Sequence, residues 1–518
     1  MTKYYSLLLI FFFYSAIVTA NQKAHSVHLP GSDVRLKKAG AIKVLSGVNH
    51  NVPKIYADSA GNAIVFAVTH GKKNFSHTQA KIKIGNNSKK QTSASTNQKS
   101  SLAYSVFVAS KKKWSAQQHI KLPDNRGANR IIDYQLINAQ SNANNILLVT
   151  NKRQTQTKAG KKVAASLTVD QSLWSLTKQS LIGQWGKPQL LLRSKGPLPV
   201  IQRDCNKRAC VIAWQKRTES TKTNKQGKHK PLATAIHLKS RILDQPTSAW
   251  TDLEVVYLPH NQQLLQLKVL MLDRRNMALV WVAATKSANK VANNGNHPLS
   301  LKIFVRMRLN SQWQKAEAVA TLGDFGRVNG LGDVVAAADP SGKIILSWAE
   351  KRQTAELRSV VFDQQWSTAS TVYRDSPEVT ALSAHFSKQG RATLIWQQKY
   401  GINTHIFYSE LNAITNRWTA PLKLDQSPRT AILKSIIRNA SDQRVAVWRK
   451  NFSRVQLAYI DKRTKLVRSL NNIGQQPSVF DVALLENQIV KFCWLRATPS
   501  LYEVWVQQAE LKTLEGKR

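Results

Sequence analysis

A unit of four short strand-like segments, clearest between residues 334 and 373, recurs along this chain and constrains its fold more than any other feature. Its turn is Asp-Pro-Ser-Gly at residues 339–342, in which proline presets φ and glycine permits a positive φ. The turn leads into an apolar strand that ends near Trp348, and Trp366 opens the last strand of the unit. Four short antiparallel strands cannot bury both faces of their sheet alone, so each unit needs copies beside it.

Eight copies of the unit are found when the chain is aligned on these two tryptophans, although the first two copies lack the first of them. The first tryptophan, near the end of the second strand, is repeated at Trp214, Trp281, Trp348, Trp396, Trp448 and Trp494. The second is repeated at Trp114, Trp174, Trp250, Trp313, Trp366 and Trp418. First strands are predicted to begin near residues 54, 132, 198, 266, 333, 379, 432 and 478. We therefore predict an all-β fold, an eight-bladed β-propeller of four-stranded antiparallel blades.

The last unit lacks its fourth strand, because only nine residues follow its third strand, which is predicted to end at Ala509. A segment at residues 41–45, AIKVL, resembles the fourth strands HIKL at 119–122 and PLKL at 421–424. We predict that this N-terminal strand completes the last blade and closes the ring, which covers an otherwise open sheet edge.

The first twenty residues are typical of a secretory signal peptide. Lys3 supplies the positive charge, residues 7–18 are largely apolar, and a small-residue cleavage site ends at Ala20. The apolar run is too short to span a bilayer, and no later stretch is long and apolar enough for a transmembrane segment. We predict a secreted or periplasmic protein, with a loose leader at 21–40 and a single propeller domain at 41–518.

A net charge of +47 is extreme for a chain that is predicted to be exported. A field of this sign attracts polyanions, and salt screens the attraction. Polar insertions between the second and third strands of the first four units carry a net charge of +20; they cover residues 71–101, 151–163, 216–230 and 285–302. In an antiparallel blade this connection lies on the same face as the link to the next blade, so we expect all four insertions on one face.

Basic residues also recur where second strands end, and arginines recur in the links between blades. Guanidinium groups suit bidentate binding of carboxylate or phosphate oxygens. The predicted anion-binding residues are Arg130, Arg193, Arg327, Arg429, Lys152, Arg153, Lys216, Arg217, Lys351, Arg352, Lys399 and Lys450. The alternative interpretation is that charges at strand ends are solvated and only keep the protein soluble.

The cysteines and tryptophans leave two further questions open. Cys205 and Cys210 lie five positions apart at a hairpin turn, and in an oxidising compartment they form either a disulfide or two free thiols. The repeated tryptophans are interpreted as packing between blades. Trp185, in a connection predicted on the basic face, is either a plug beneath the loops or a platform on which a sugar or a base stacks.

Catalytic residues are not predicted, because carboxylates are sparse, at 29 Asp plus Glu, and no hydrolase motif is present. A glycosidase needs two carboxylates that face each other across a sugar. The candidates for such a role are Asp133 with Tyr134, beside Arg130, and Glu378. No histidines or cysteines have the spacing of zinc ligands, so we predict no metal site and no cofactor.

Two units carry a resemblance to a known family. Asp339-x-x-Gly342 with Trp348 and Trp366, and Ser387-x-x-Gly390 with Trp396 and Trp418, resemble the repeats of secreted bacterial propellers in the sialidase-like superfamily. Sialidases carry Ser-x-Asp-x-Gly-x-Thr-Trp boxes and an early Arg-Ile-Pro, whereas this chain has Asp-x-x-Gly turns and reads Val-Pro-Lys-Ile at 52–55. The resemblance therefore implies a propeller that binds glycans or acts in adhesion, and it transfers no catalytic residue.

Three functions are weighed on these observations. We predict a non-catalytic exported propeller whose basic face binds a polyanionic polymer or acidic cell-surface glycan, lipopolysaccharide or nucleic acid. The first alternative is a divergent sialidase-like glycosidase or lyase that acts at the channel mouth. The second is an envelope scaffold that holds a protein partner. Affinity that falls steeply with salt distinguishes the first function, turnover of acidic glycans the second, and a salt-insensitive protein partner the third.

Overall fold

Eight small antiparallel sheets follow one another along the chain and form the blades of an eight-bladed β-propeller in the computed structural model. The structure describes residues 42–48, 52–58, 60–70, 100–120, 129–137, 144–154, 168–178, 180–195, 197–206, 208–217, 234–243, 245, 248–259, 262–286, 299–324, 334–339, 341–351, 355–376, 378–387, 390–412, 415–425, 431–438, 444–450, 454–460, 465–470, 480–485, 489–497 and 502–510. The predicted signal peptide and leader lie outside these residues.

The first strand of the described chain is β1 (Ile42–Val48). Blade one then contains β2 (Lys54–Ala57), β3 (Ala63–His70), β4 (Ser100–Val108), a 3-10 turn (Ala109–Lys111), β5 (Lys113–Trp114) and β6 (Gln118–Ile120). Blade two contains β7 (Asn129–Ile137), β8 (Asn144–Gln154), β9 (Thr168–Lys178) and β10 (Gln189–Lys195). Blade three contains β11 (Ile201–Cys205), β12 (Ala209–Arg217), β13 (Thr234–Ile242), β14 (Thr251–Asp252) and β15 (Val256–Tyr257). Blade four contains β16 (Gln262–Met271), β17 (Met277–Lys286), β18 (Leu299–Leu309), β19 (Gln312–Trp313) and β20 (Glu317–Asp324).

The second half of the ring repeats this arrangement with shorter connections. Blade five contains β21 (Val335–Ala338), β22 (Ile344–Lys351), β23 (Ala355–Asp363), β24 (Gln365–Trp366) and β25 (Ser370–Ser376). Blade six contains β26 (Val379–Phe386), β27 (Ala392–Tyr400), β28 (Asn403–Glu410) and β29 (Leu422–Lys423). Blade seven contains β30 (Ala431–Arg438), β31 (Arg444–Lys450), β32 (Arg454–Ile460) and β33 (Lys465–Leu470). Blade eight contains β34 (Phe480–Leu484), β35 (Ile489–Ala497) and β36 (Tyr502–Glu510).

The ring closes through the N-terminal strand. β1 pairs antiparallel with β36, with Ile42 opposite Val506 and Val48 opposite Tyr502. The sequence-based prediction of this closure is confirmed, although the strand begins and ends slightly later than predicted. β1 also meets β3 of blade one at Val48 opposite Thr69, so this strand joins the first and last blades.

The hydrophobic core is divided into eight apolar layers, each between two neighbouring blades. One layer, for example, joins Val447 of blade seven to Phe492 of blade eight, and the next joins Val504 of blade eight to Val65 of blade one. Second strands are apolar along most of their length because blades cover both of their faces. Trp348, Trp396 and Trp448 are accordingly buried in these layers, as predicted.

The alignment of blade two on Trp174 is wrong. Trp174 lies within β9, the third strand. In four other blades the residue after the second tryptophan donates its N–H to a third-strand carbonyl, as Ser115 does to Val106 at 2.7 Å and Ser367 does to Val361 at 2.8 Å. Gly186 makes the same bond to Thr177 at 2.7 Å, so Trp185 is the repeated tryptophan of this blade. Two tryptophans eleven positions apart left the alignment ambiguous.

Cys205 and Cys210 are joined by a disulfide across the β11–β12 hairpin. The two residues are directly opposite each other in the strand register, and their Cα atoms are 4.1 Å apart. Of the two alternatives left open by the sequence, the structure contains the disulfide. Cys493 is buried and is not part of a disulfide.

Candidate ligand-binding face

The predicted insertions and most of the predicted basic residues lie at, or connect strands at, one end of the propeller. Each second strand runs toward this end, and each first strand begins there, because consecutive strands of a blade are antiparallel. We call this end the loop face. The 1–2 hairpins and the 3–4 connections lie on the opposite face.

The four predicted insertions begin and end on the loop face. They join β3 to β4, β8 to β9, β12 to β13 and β17 to β18, whereas the same connections in blades five to eight span two to four residues. The strands extend further into three of the insertions than predicted, since β8 continues to Gln154, β12 to Arg217 and β17 to Lys286. The connecting residues 71–99, 155–167, 218–233 and 287–298 lie outside the described residues.

The predicted basic positions follow the same topology. Most lie in the last residues of second strands, at Lys152 and Arg153 of β8, Lys216 and Arg217 of β12, Lys351 of β22, Lys399 of β27 and Lys450 of β31. Arg130 lies at the start of β7 and Arg193 lies in β10. Arg327, Arg352 and Arg429 lie outside the described residues. The described basic positions therefore approach the loop face from blades around the ring.

Two of the predicted anion-binding side chains are in ion pairs. Arg193 Nη2 is 3.3 Å from a carboxylate oxygen of Asp170, and Lys399 Nζ is 3.9 Å from a carboxylate oxygen of Glu378. Both basic side chains are about half exposed, so water weakens these pairs. The charge of these two side chains is therefore partly balanced within the blades.

Tyr134 serves the packing of the first two blades. Its side chain is buried, and its hydroxyl lies 3.0 Å from the carbonyl oxygen of Val52 and 2.9 Å from that of Phe66. Burial raises the pKa of this hydroxyl well above its usual value. The neighbouring Asp133 is exposed and accepts a hydrogen bond from the Tyr134 N–H at 2.8 Å. The two side chains therefore do not form an acid–base pair.

Replacing Tyr134 with phenylalanine is expected to lower the free energy of unfolding by about 1–2 kcal/mol, because the buried carbonyl of Phe66 and the half-buried carbonyl of Val52 lose the one hydroxyl proton that they share. The measurement is urea denaturation followed by tryptophan fluorescence. Tyr257→Phe is the matched control, since Tyr257 is 66% exposed. Equal denaturation midpoints for the two variants would contradict the structural role.

The first strands of blades one, two and three carry a polar cluster of which the sequence analysis named only Asp133. Burial lowers the pKa of the Arg203 guanidinium, while the nearby Tyr56 and Asp133 act in the opposite direction. The three side chains come from β2, β7 and β11 and are close enough to interact electrostatically. Besides Asp133, the sequence signal for this cluster was an arginine in the middle of a predicted inner strand.

A partly open cavity of about 440 Å³ lies between blades three and four. Gln202 of β11, Gln215 of β12 and residues 264–268 of β16 line it, together with the link that precedes β11. Among the described residues no group of three or more His, Cys, Asp or Glu side chains is placed to hold a metal ion. The same residues contain no helix long and apolar enough to cross a membrane.

Comparison with known proteins finds solved structures that are weakly similar to this chain. No protein-family model and no curated protein matches it. The structure of Trypanosoma rangeli sialidase with the inhibitor DANA matches this chain at 10% identity and a TM-score of 0.31. The match covers 62% of this chain and 56% of the sialidase chain. AofleA from Arthrobotrys oligospora matches 66% of this chain and 90% of its own, at 10% identity and a TM-score of 0.32. A mutant of NanB sialidase from Streptococcus pneumoniae matches 95% of this chain and 72% of its own, at 11% identity and a TM-score of 0.27.

The propeller architecture rests on the chain's own strand pairing and not on these matches. The predicted resemblance to sialidase-like propellers is one of fold only. Identities of 10–11% and TM-scores near 0.3 carry no information on activity or ligand. Function has to be argued from the residues of this chain.

Proposed function

We propose that this protein is an exported, non-catalytic propeller that binds a polyanion, such as an acidic glycan, lipopolysaccharide or nucleic acid, through its loop face. The observation that carries the proposal is topological. The four predicted insertions, whose net charge of +20 includes the basic ends of the flanking strands, all connect a second strand to a third strand, and those strand ends share one face. A polymer that spans several blades can contact several insertions at once.

The chemistry of these insertions suits a polymer better than a small anion. Each lysine or arginine that neutralises a charge on a polyanion releases a counterion, and the gain adds over many weak contacts. Segments rich in lysine, serine and asparagine offer charge and hydrogen-bond donors without an enclosed pocket. We therefore expect affinity that depends on charge density and chain length more than on the identity of the anionic group.

Export is part of the proposal. The first twenty residues have the charge, apolar run and cleavage site of a secretory signal. The disulfide between Cys205 and Cys210 is the second support, because such bonds persist in oxidising compartments. An exported basic protein meets polyanions at cell surfaces, where acidic polysaccharides and lipid phosphates are exposed.

The test is a binding titration against heparin, polygalacturonate, lipopolysaccharide and single-stranded DNA at 50 and 300 mM NaCl. We expect affinity for at least one polymer to fall at least tenfold between the two salt concentrations. The variant Lys81→Gln/Lys83→Gln/Lys89→Gln removes three charges from the first insertion and is expected to weaken binding about tenfold at intermediate salt.

The matched control removes three charges from the opposite face. Lys111, Lys112 and Lys113 are exposed in the 3–4 connection of blade one, and Lys112 has a φ of +48°, which asparagine tolerates. The control is Lys111→Gln/Lys112→Asn/Lys113→Gln. Its affinity for the polymer is expected to differ from that of the wild type by less than about twofold. Equal losses in the two variants, or tight binding that salt does not change, would refute the proposal.

A glycosidase or lyase is the second candidate, and the channel cluster of Tyr56, Asp133 and Arg203 is the observation that favours it. Asp133, Tyr56 and Arg203 supply a carboxylate, a phenol and a guanidinium that interact electrostatically across three inner strands, and groups of these kinds can bind and polarise an acidic sugar. Incubation with sialyllactose and polygalacturonate, followed by product chromatography, separates the two candidates. Product formation that Asp133→Asn abolishes would establish the enzyme.

A further inference from the structure

The face opposite the loop face carries a group of arginines at the junction of blades three and four. Its members are Arg208 in the β11–β12 hairpin, Arg274 and Arg275 in the β16–β17 hairpin, and Arg306 and Arg308 near the end of β18. We call these five residues the arginine cluster. Both hairpins and the end of β18 lie at the same end of two neighbouring blades, because consecutive strands of a blade are antiparallel.

Hydrogen bonds between the turns connect the two halves of the cluster. Asn206, in the hairpin of blade three, donates its side-chain N–H to the Asp273 carbonyl in the hairpin of blade four at 3.0 Å. Arg308 Nη1 in turn donates to the Arg275 carbonyl at 3.2 Å. The arginines of the two blades are therefore attached to turns that are bonded to each other.

Arg306 and Arg308 lie on the side of β18 that faces blade three. In this strand Phe304 packs in the apolar layer between blades three and four, whereas Val305 packs in the layer between blades four and five. Side chains alternate along a strand, so Arg306 and Arg308 continue the side of Phe304, with Cα atoms about 7 Å apart. The Arg306 guanidinium lies 5.6 Å from the centre of the ring of Trp313, which packs in the same layer as Phe304.

The contacts of these two half-buried arginines leave their charges unbalanced. Arg306 Nε donates to the Gln314 carbonyl at 2.8 Å, and Arg308 donates to the Arg275 carbonyl. Both acceptors are neutral, and each guanidinium has further N–H donors. A partly buried charge attracts an anion more strongly than a fully solvated one, because water screens it less.

One carboxylate, that of Asp273, lies within the cluster. Burial acts to raise its pKa, but hydrogen bonds from Arg275 and Asn276 and the positive charge of Arg208 outweigh this effect and hold the pKa below its usual value. Asp273 is therefore ionised at neutral pH. The five arginines together with this aspartate have a net charge of +4.

The chemistry of the cluster suits a compact anion that carries several charges. A guanidinium group presents a rigid fork of N–H donors that can bind two oxygens of one phosphate group. Two linked phosphate groups carry about three negative charges near neutral pH, which matches the excess charge of the cluster. The lysines of the insertions, on flexible side chains without such a fork, lack this geometric preference.

We propose that the arginine cluster binds a diphosphate group, either free or at the end of a diphosphate ester. Arg306 and Arg308 bind one phosphate group from blade four. Arg208 and Arg275 bind the other phosphate group across the junction of the two blades. The site lies on the face opposite the insertions, so it goes beyond the proposed function and does not depend on it.

The experiment is a calorimetric titration of residues 21–518 with sodium pyrophosphate at about 150 mM NaCl, with sodium sulfate as the counterpart that has a single anionic group. We expect one saturable pyrophosphate site with a dissociation constant in the micromolar range, and sulfate affinity at least about tenfold weaker. Geranyl diphosphate is titrated in parallel. Affinity like that of pyrophosphate assigns the site to diphosphate esters as well, whereas its exclusion assigns the site to free diphosphate.

The variant Arg208→Gln/Arg308→Gln removes one arginine from each blade and is expected to weaken pyrophosphate binding at least about tenfold. Arg208→Gln alone changes an exposed turn residue and is expected to weaken binding about threefold without changing the urea denaturation midpoint. The matched control is Arg391→Gln/Arg417→Gln, which removes two exposed arginines from the same face of blade six. Its pyrophosphate affinity is expected to stay within about twofold of the wild type.

Absence of a saturable pyrophosphate site overturns the inference. Equal affinity in the wild type and Arg208→Gln/Arg308→Gln, or an equal loss in the blade-six control, overturns it as well. The insertion variant Lys81→Gln/Lys83→Gln/Lys89→Gln is expected to bind pyrophosphate like the wild type, and Arg208→Gln/Arg308→Gln is expected to keep polymer binding within about twofold. Failure of the diphosphate site and failure of the proposed polyanion binding are therefore distinguishable.

Discussion

Replacing Leu45 with aspartate is expected to lower the free energy of unfolding by about 4 kcal/mol or more, the largest effect that we expect from a single substitution. Leu45 lies in β1, is 1% exposed, and belongs to the apolar layer between blades eight and one, with Val504 and Val65. A carboxylate there is buried without a partner, and it weakens the strand that covers the edge of β36. An uncovered β36 edge also predicts self-association of the variant.

The measurement is urea denaturation together with light scattering at two protein concentrations. Ser46→Asn is the matched control, because Ser46 is the next residue of the same strand and is exposed, and a neutral side chain is not repelled by Glu503, which lies opposite it in β36. The control keeps β1 in place and is expected to unfold within about 0.5 kcal/mol of the wild type. Denaturation midpoints that coincide for the two variants would show that β1 does not hold the ring closed.

Replacing two buried lysines with methionine is expected to raise stability at neutral pH. Lys178 is 2% exposed, and its Nζ lies 5.0 Å from the centre of the Tyr104 ring and 5.1 Å from that of Trp185. Lys491 is also 2% exposed, with Nζ 3.2 Å from the centre of the Phe107 ring and 3.1 Å from Oε1 of Gln508. Burial lowers the pKa of each lysine to about 8.

The direction of the pH dependence follows from the pH at which the folded and the unfolded states release the protons of these two lysines. The unfolded chain keeps these lysines charged up to about pH 10.5, whereas the folded protein releases both protons near pH 8. Stability therefore rises as pH increases from 8 toward 10.5, and the full cost of the buried charge is present below pH 8. That cost corresponds to about 3 kcal/mol for each lysine, and the attraction between the ammonium group and the aromatic rings offsets part of it.

We expect Lys178→Met and Lys491→Met each to gain about 1–3 kcal/mol at pH 7, and the double variant to lose most of the rise in stability between pH 7.5 and 9.5. Lys111→Met is the control, because Lys111 is exposed and its replacement is expected to leave the pH profile unchanged. Measuring the difference from the control removes the contribution of groups common to both proteins. A double variant whose stability rises as steeply as that of the control would contradict the prediction.

The repeats in the sequence were sufficient to predict most of the architecture. Turn residues, β-branched strands and tryptophans such as Trp348 and Trp396 recur because every blade packs on its neighbours in the same way, so the number of blades and the ring closure could be predicted. The alignment failed where one blade contains two tryptophans, Trp174 and Trp185. As a result Trp185 was expected on the basic face, whereas its 3–4 connection places it on the opposite one.

The candidate site was less accessible to prediction, because its members come from different blades. Tyr56, Asp133 and Arg203 are far apart in the chain, and only the arrangement of the inner strands brings them together. Lys178 and Lys491 read as ordinary solvated lysines near strand ends, and burial between aromatic rings depends on packing that no local pattern encodes. The cavity depends on an irregular residue in β16, which a strand pattern of period two does not contain.

Ring closure by β1 has a consequence for the order in which the blades form. Lys43 and Glu503 form an ion pair across the β1–β36 contact and are 460 positions apart in the chain. Among the strand pairs described, forming this contact therefore has the largest entropic cost of loop closure, about 5 kcal/mol. Blades two to seven assemble from sequence neighbours and can fold progressively as the polypeptide emerges. The eighth blade has to wait for residues from both extremes of the propeller, which makes its completion the final, committing step of maturation.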